Sequence, residues 1–178
     1  MDKKRIRGVL EEVAAGRISI DDAVLKLKME PFEDLGFVKL DHHRELRQGV
    51  AEVVYGAGKT PGQIKKIAVA MLEHGQKTIL ITRLSEQAAK SLEHELPMTY
   101  YELGRIGMIG ALPEPDGLGK IVVATGGTSD MPVAEEAAIT ARALGNEVTR
   151  LYDVGVAGLH RLLAHTEDIM SARVIIAI

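Results

Sequence analysis

A chain of 178 residues, 46% apolar and 26% charged, has the composition of an ordinary globular protein with enough apolar material for one or two packed domains. Its formal charge of −3, with acids and bases interspersed, sets up no field that would draw in nucleic acid, and two Phe, four Tyr and no Trp leave few platforms for stacking bases. The lack of cysteine excludes disulfides, thiolate-bound zinc and a cysteine nucleophile within these residues; no apolar run approaches the ~20 residues of a membrane span, so a cytoplasmic protein is expected.

Residues 4 to 15 place Ile6, Val9, Leu10, Val13 and Ala14 at helical spacing, and Gly16 supplies the stop. Ser19 with Asp22 three places on resembles a capping box with a shorter acid, opening a second helix to about Met29. Pro31 breaks that pattern, Phe37 to Leu40 alternates weakly like a strand, and Asp41-His42-His43-Arg44 begins a polar turn or helix. Adjacent histidines on a helix diverge by about 100°, so this quartet reads as a charged turn rather than a metal site. Val50 to Tyr55 is a further strand. After it, Thr60, Pro61 and Gln63 form a complete helix-start signal, and the helix runs to about His74 before Gly75. Gly58-Lys59-Thr60 copies the end of a P-loop, but Val53 stands where that motif needs its first glycine, which excludes it. Thr78 to Thr82 reads as a strand, Ser85 caps a helix to about Leu96, and Tyr100 to Ile109 holds one or two strands. His74, His94 and His165 fall in helical patterns without ligand spacing and are expected at the surface.

Ala111 to Gly119 holds two prolines and two glycines in nine residues, a composition that suits a boundary. The expected organisation is therefore a mixed α+β domain over residues 1–112, a linker over 113–119, and an α/β domain over 120–178. In the last of these, Lys120 to Thr125 is an apolar strand, Met131 to Leu144 an alanine-rich helix ended by Gly145, and Glu147 to Tyr152 the next strand. Leu159 to about His165 is a helix and Arg173 to Ile178 a third strand. Strands alternating with helices of this length imply a parallel sheet covered on both faces. Val174 to Ile178 has the composition of a central strand, so this domain is expected to be either a truncated fragment of a longer protein or an unusually short relative.

In such a sheet, ligands bind outside the carboxyl ends of the strands, where the loops into the following helices converge. The first loop, Thr125-Gly126-Gly127-Thr128-Ser129-Asp130, offers two glycines for a tight turn and close approach to a ligand, then two hydroxyls. The helix that starts immediately afterwards favours a phosphate or carboxylate there. Asp130 has two readings: a helix cap, or a group that holds a sugar hydroxyl or handles a proton. The spacing is not that of the dinucleotide fingerprint. The second loop, Tyr152 to Arg161, again carries two glycines, Gly155 and Gly158, which would allow unusual backbone angles. Within it Asp153 and Gly155 should face the same crevice. His160, in the first helical turn, is either a proton-transfer or anion-binding group or a plain surface histidine, and Arg161 either a phosphate clamp or a solvated side chain. Glu135 and Glu136 read mainly as a solvated helix face, with Glu135 a marginal site candidate.

The run Gly127-Thr128-Ser129-Asp130-Met131-Pro132-Val133-Ala134-Glu135-Glu136-Ala137, followed by Tyr152 to Arg161, resembles the family of the nickel-pincer cofactor biosynthesis protein LarB, whose second domain is similar to the aminoimidazole ribonucleotide (AIR) carboxylase PurE. Glu33-Asp34-Leu35-Gly36, Asp41-His42-His43-Arg44, Arg47-Gln48-Gly49 and Glu52-Val53-Val54-Tyr55-Gly56 with Gly58-Lys59-Thr60 also look like LarB and have no counterpart in PurE. The resemblance implies a PurE-like parallel-sheet domain and carboxylation of the pyridinium ring of nicotinic acid adenine dinucleotide by carbon dioxide or bicarbonate. It also implies phosphoanhydride cleavage that releases AMP, magnesium as cofactor with ligands unspecified, and a homo-oligomer, by analogy with PurE an octamer. It places Asp130 and His160 as catalytic groups, with Gly126, Gly127, Thr128, Ser129, Asp153, Gly155 and Arg161 binding substrate. The family's cysteine nucleophile has no counterpart here. Two other readings stand beside this one: an AIR carboxylase or mutase, and an inactive binding fragment.

Overall fold

A computed structural model of the chain describes residues 3–28, 33–34, 36–40 and 52–178. It has two compact units, residues 1–52 with 69–76, and residues 53–68 with 77–178. Among the described residues no helix is long and apolar enough to cross a membrane.

In the first unit, α1 (Lys3–Ala14) ends as expected ahead of Gly16, whose φ of 66° suits a residue without Cβ. The capping box of α2 (Ile20–Lys28) is present: the Asp22 amide donates to Ser19 Oγ at 3.0 Å, and that hydroxyl donates to Asp22 Oδ2 at 2.7 Å. Lys26 on α2 reaches Glu12 on α1 at 2.9 Å. Strands β1 (Glu33–Asp34) and β2 (Lys39–Leu40) pair antiparallel. Pro31, the quartet Asp41 to Arg44, the segment Arg47 to Gly49 and the start of the expected strand at Val50 lie outside the described residues.

The second unit contains two sheets. The first has the order β3 (Val54–Tyr55), β4 (Ile79–Thr82), β6 (Ile106–Ile109), β5 (Met98–Tyr101), with β3 and β4 parallel and the other pairs antiparallel. Helix α3 (Pro61–Glu73) opens with the expected cap, the Thr60 amide donating to Gln63 Oε1 at 2.9 Å and the Gln63 amide to Thr60 Oγ1 at 3.3 Å. Ser85 caps α4 (Glu86–Glu93) through the Ala88 amide.

The second sheet is wholly parallel, in the order β8 (Val148–Leu151), β7 (Ile121–Ala124), β9 (Val174–Ala177), so the α/β reading holds. Side chains alternate across β7. Val123 packs with Ala134 and Ala138 of α5 (Met131–Ala143), while Val122 packs on the opposite face with Leu162 and Ile169. Those last two residues belong to α6 (Leu159–Leu163) and α7 (Thr166–Ser171), two short helices where one was expected. The alanine content of α5 has a packing reason: Ala134 and Ala138 bring it close to the parallel sheet, and Ile139 enters a cluster with Leu80 and Ile106 of the other sheet. Coverage of the parallel sheet is incomplete at its β9 edge, where Val174 and Ile175 remain 48% and 49% exposed.

The strand order turns back about β7, so the carboxyl end of β7 is a topological switch point. Thr125, 1% exposed, ties that end to its neighbours. Its amide donates to Leu151 O at 3.0 Å, its carbonyl accepts from the Val154 amide at 3.0 Å, and its Oγ1 accepts from the Asp153 amide at 3.0 Å. On the β9 side, Gly126 donates to Ile178 O at 2.9 Å.

Glu135 does not form a solvated face. It takes two bonds from Arg150, at 2.8 and 3.2 Å, and one from Tyr152 Oη at 2.7 Å, locking α5 to β8. Glu136 is likewise engaged, by Arg83 at 2.8 Å. Burial alone pushes the Glu135 carboxyl up, but the bonds from Arg150 and Tyr152 outweigh it and hold it below the usual carboxylate range. Burial, then the bond to Glu135, pushes Tyr152 up to about 12.

Two predictions follow from these contacts. Thr125→Val keeps the shape but strands a buried amide, so denaturant unfolding should show a loss of about 1–3 kcal/mol, which Thr125→Ser largely restores. Glu135 contributes stability that is complete above its unfolded pKa and lost as pH falls through its lower folded value. Tyr152 contributes stability that is complete below pH 10 and lost as pH rises towards about 12. Unfolding followed across pH should therefore show an acid and an alkaline decline, both reduced in Glu135→Gln.

Candidate functional site

The two loops that leave β7 and β8 converge at the switch point. The first continues from Thr125 through Gly126 and Gly127 into a single 3-10 turn (Thr128–Asp130) that runs straight into α5. The second passes from Tyr152 through Asp153 and Gly155 into another 3-10 turn (Val156–Gly158) ahead of α6. Their contact is tight: a Cβ placed on Gly155 would lie 2.4 Å from Gly126 O and 3.3 Å from its Cα.

The glycines divide by what demands them. None of Gly126, Gly127, Gly155 and Gly158 has a positive φ, which corrects the expectation that the glycines of the second loop supply unusual backbone angles. The left-handed residue there is Asp153, at φ 57°, a conformation aspartate tolerates better than most side chains. Gly155 is required for the close approach of the two loops. At Gly158 a Cβ would meet only the flexible Arg161 guanidinium. Gly126 and Gly127 have neither reason, since added Cβ atoms would meet nothing nearer than 3.8 and 3.7 Å, ordinary contact. Backbone geometry and packing both leave this pair unexplained, and Gly126 is exposed at the crevice.

For Asp130 the structure bears on the capping reading. Its carboxylate does not cap α5; it reaches back to accept the Gly127 amide through Oδ2 at 2.9 Å, and Ser129 Oγ donates to Oδ1 at 3.3 Å. The loop is thereby held in one shape, with a negative charge already at the helix start. The amides and hydroxyls of Thr128 and Ser129 stay exposed, and neither amide has an acceptor among the described residues. The site thus presents neutral donors beside one carboxylate. That combination suits a ligand carrying both an anionic group and hydroxyls better than a bare polyanion, which Asp130 would repel.

In the second loop Asp153 and Arg161 form an ion pair with each other, and both side chains remain partly exposed. The pair holds the left-handed corner against the start of α6. His160 is exposed, and its imidazole has no hydrogen-bond or ion-pair partner among the described residues, leaving it available to a ligand. The structure therefore joins Gly126 with Gly155, Gly127 and Ser129 with Asp130, and Asp153 with Arg161; no hydrogen bond links His160 to the first loop. Among the other histidines, His74 and His94 are exposed as expected, while His165 is half-buried with Nδ1 3.6 Å from Asp168.

The magnesium expected from the resemblance finds no ready cage here. No three His, Asp or Glu side chains cluster among the described residues, and the two loop carboxylates are engaged with Gly127 and Arg161. Sequence reading also missed two residues near the foot of α5. Arg83 and Arg105 sit at φ 54° and 51°, positions with no sequence signature because arginine rarely occupies them.

Comparison with known proteins bears on this geometry. The uncharacterized protein MJ0165 of Methanocaldococcus jannaschii is 34% identical over 166 residues, which cover 89% of this chain and 65% of that protein. The chain thus spans somewhat less than two thirds of the relative's length. Residues 32–111 match the family model described as LarB/PurE-like N-terminal domain.

Proposed function

We propose that the loops Thr125 to Asp130 and Asp153 to Arg161 grip the mononucleotide half of nicotinic acid adenine dinucleotide, as part of a LarB-type carboxylation of its pyridinium ring. The observation that carries this reading is the pair Gly126-Gly127, required neither by φ nor by packing, open at the switch point and followed by two unsatisfied amides. A backbone without side chains beside free N–H donors is what close approach of a phosphate or carboxylate needs. The match of residues 32–111 to the LarB/PurE-like N-terminal domain supports the same reading.

In that reaction carbon dioxide adds at a ring carbon, the ring proton leaves to a base, and water cleaves the phosphoanhydride to release AMP. The exposed groups divide the work. The amides of Thr128 and Ser129 and the Thr128 hydroxyl hold the anion, Asp130 accepts a ribose hydroxyl or the ring proton through the carboxylate lone pairs that Gly127 and Ser129 leave unused, and His160 moves a proton across the crevice. A pyridinium carbon attacks carbon dioxide only after a nucleophile has added to the ring. These 178 residues contain no cysteine to act as that nucleophile, so their assigned share is binding and proton handling. Strand β9, an edge of the parallel sheet with Val174 and Ile175 about half exposed, supports association of copies.

The two kinds of glycine give the test. Gly126→Ala should leave the unfolding midpoint unchanged, because nothing lies nearer than 3.8 Å to the new Cβ, while calorimetric titration shows affinity for nicotinic acid adenine dinucleotide reduced about tenfold or more. Gly155→Ala should instead lose about 1–3 kcal/mol of stability through the forced separation of the loops. Undiminished binding by Gly126→Ala, or no binding by the unaltered chain at millimolar dinucleotide, would contradict the proposal.

A further inference from the structure

Beside the foot of α5, on the side formed by the β5–β6 turn, lies a groove of about 750 Å³ lined by Ser85, Glu86, Tyr100, Glu102, Leu103, Arg105 and Pro132. A smaller cavity of about 220 Å³ lies next to it, sharing Leu103, Arg105 and Pro132 and adding Arg83 and Glu136. The groove is a channel whose volume alone falls in the range of small-molecule and cofactor sites.

Two features show that the channel is built rather than incidental. The β5–β6 turn presses on α5 so closely that a Cβ on Gly104 would lie 3.1 Å from the Glu136 amide, and the Leu84 amide donates to Arg105 O at 2.8 Å, fixing the two walls to each other. Both walls then end in an arginine held in left-handed backbone, Arg83 at φ 54° and Arg105 at φ 51°. After the turn closed by the Arg105 amide to Glu102 O at 3.1 Å, the left-handed position is one that glycine fills without strain. An arginine there sits in strained backbone that glycine would relieve. Arg83 has Glu136 as partner. The Arg105 guanidinium has no hydrogen bond or ion pair among the described residues, and it lies on the channel wall.

The remaining lining sets the ligand class. Arg105 offers a forked donor to a phosphate. Leu103, Pro132 and the Tyr100 ring offer flat apolar surface, with the Tyr100 hydroxyl already donated to Leu84 O at 3.0 Å. Glu102, exposed on the rim, accepts hydroxyl or amino protons, and its charge disfavours a polyphosphate. One phosphate, one flat ring and hydrogen-bond donors describe a nucleoside monophosphate. We propose that the channel is a nucleoside monophosphate site centred on Arg105 and that it holds the adenylate half of the dinucleotide whose other half lies on the Gly126 to Asp130 loop. The second clause rests on the function proposed above; the first does not. The geometry permits both, since Ser129 and Pro132 are three residues apart, at most about 11 Å of chain, well within the span of an extended dinucleotide.

The test titrates AMP and nicotinic acid mononucleotide separately into the full chain, and into Arg105→Gly, Leu103→Glu and Asp130→Asn. Glycine relieves the left-handed strain at 105, so Arg105→Gly should melt at or above the unaltered chain while losing AMP affinity by about tenfold or more. Leu103, 46% exposed, accepts glutamate without burying a charge, and the new carboxylate should also expel AMP. Neither variant should change affinity for the mononucleotide, which Asp130→Asn should weaken while leaving AMP unaffected. No AMP binding at millimolar concentration, or AMP binding unchanged in both Arg105→Gly and Leu103→Glu, would overturn the channel assignment. AMP binding that depends on Arg105 alongside no binding of the mononucleotide would uphold the channel as a nucleoside monophosphate site and overturn the reading of the loop.

Discussion

The buried Thr125 is the joint on which the candidate site depends. Its amide and carbonyl extend the pairing of β7 and β8 past their last residues, and its hydroxyl takes the Asp153 amide at the point where the second loop turns into left-handed backbone. With that turn fixed, Gly155 lies against Gly126, and the two loops share one wall of the crevice. A single side chain thereby satisfies a backbone donor that the turn would otherwise bury unpaired, and it does so where the strand order changes direction. The ion pair of Asp153 with Arg161 secures the same corner from the solvent side, while the link of Glu135 to Arg150 and Tyr152 secures the helix that follows the first loop.

Much of this was legible in the amino-acid order because the signals were local or periodic. The caps at Ser19, Thr60 and Ser85 depend on residues three apart, and each forms as its sequence implies. The parallel sheet announced itself through short apolar strands separated by helical spans, and the alternation of Val122 and Val123 between two covering layers explains why β7 is apolar throughout.

What could not be read depended on partners distant in sequence. The six-residue α7 has little intrinsic helix signal; it is held by Ile169 packing against Val122 and by Asp168 pairing with Lys120 at 2.9 Å. Gly155 looks like a source of backbone freedom until Gly126 is seen against it, and Glu135 and Glu136 look solvated until Arg150 of β8 and Arg83, just past β4, reach them. Arg83 and Arg105 adopt conformations that their residue type does not advertise, so the channel beside the β5–β6 turn had no sequence signature. The same distinction applies to the site itself. Its residue types were apparent, but which glycines serve packing and which stand open is a fact of three-dimensional approach.

The central claim is that the open backbone from Gly126 to Ser129 is a ligand cradle, and amide resonances report on it directly. In an isotope-labelled chain titrated with nicotinic acid mononucleotide, the Gly126, Thr128 and Ser129 amides should shift together and saturate, with smaller changes at Thr125, whose bonds are already made within the protein. Shifts confined to other segments, or none up to millimolar ligand, would contradict the account.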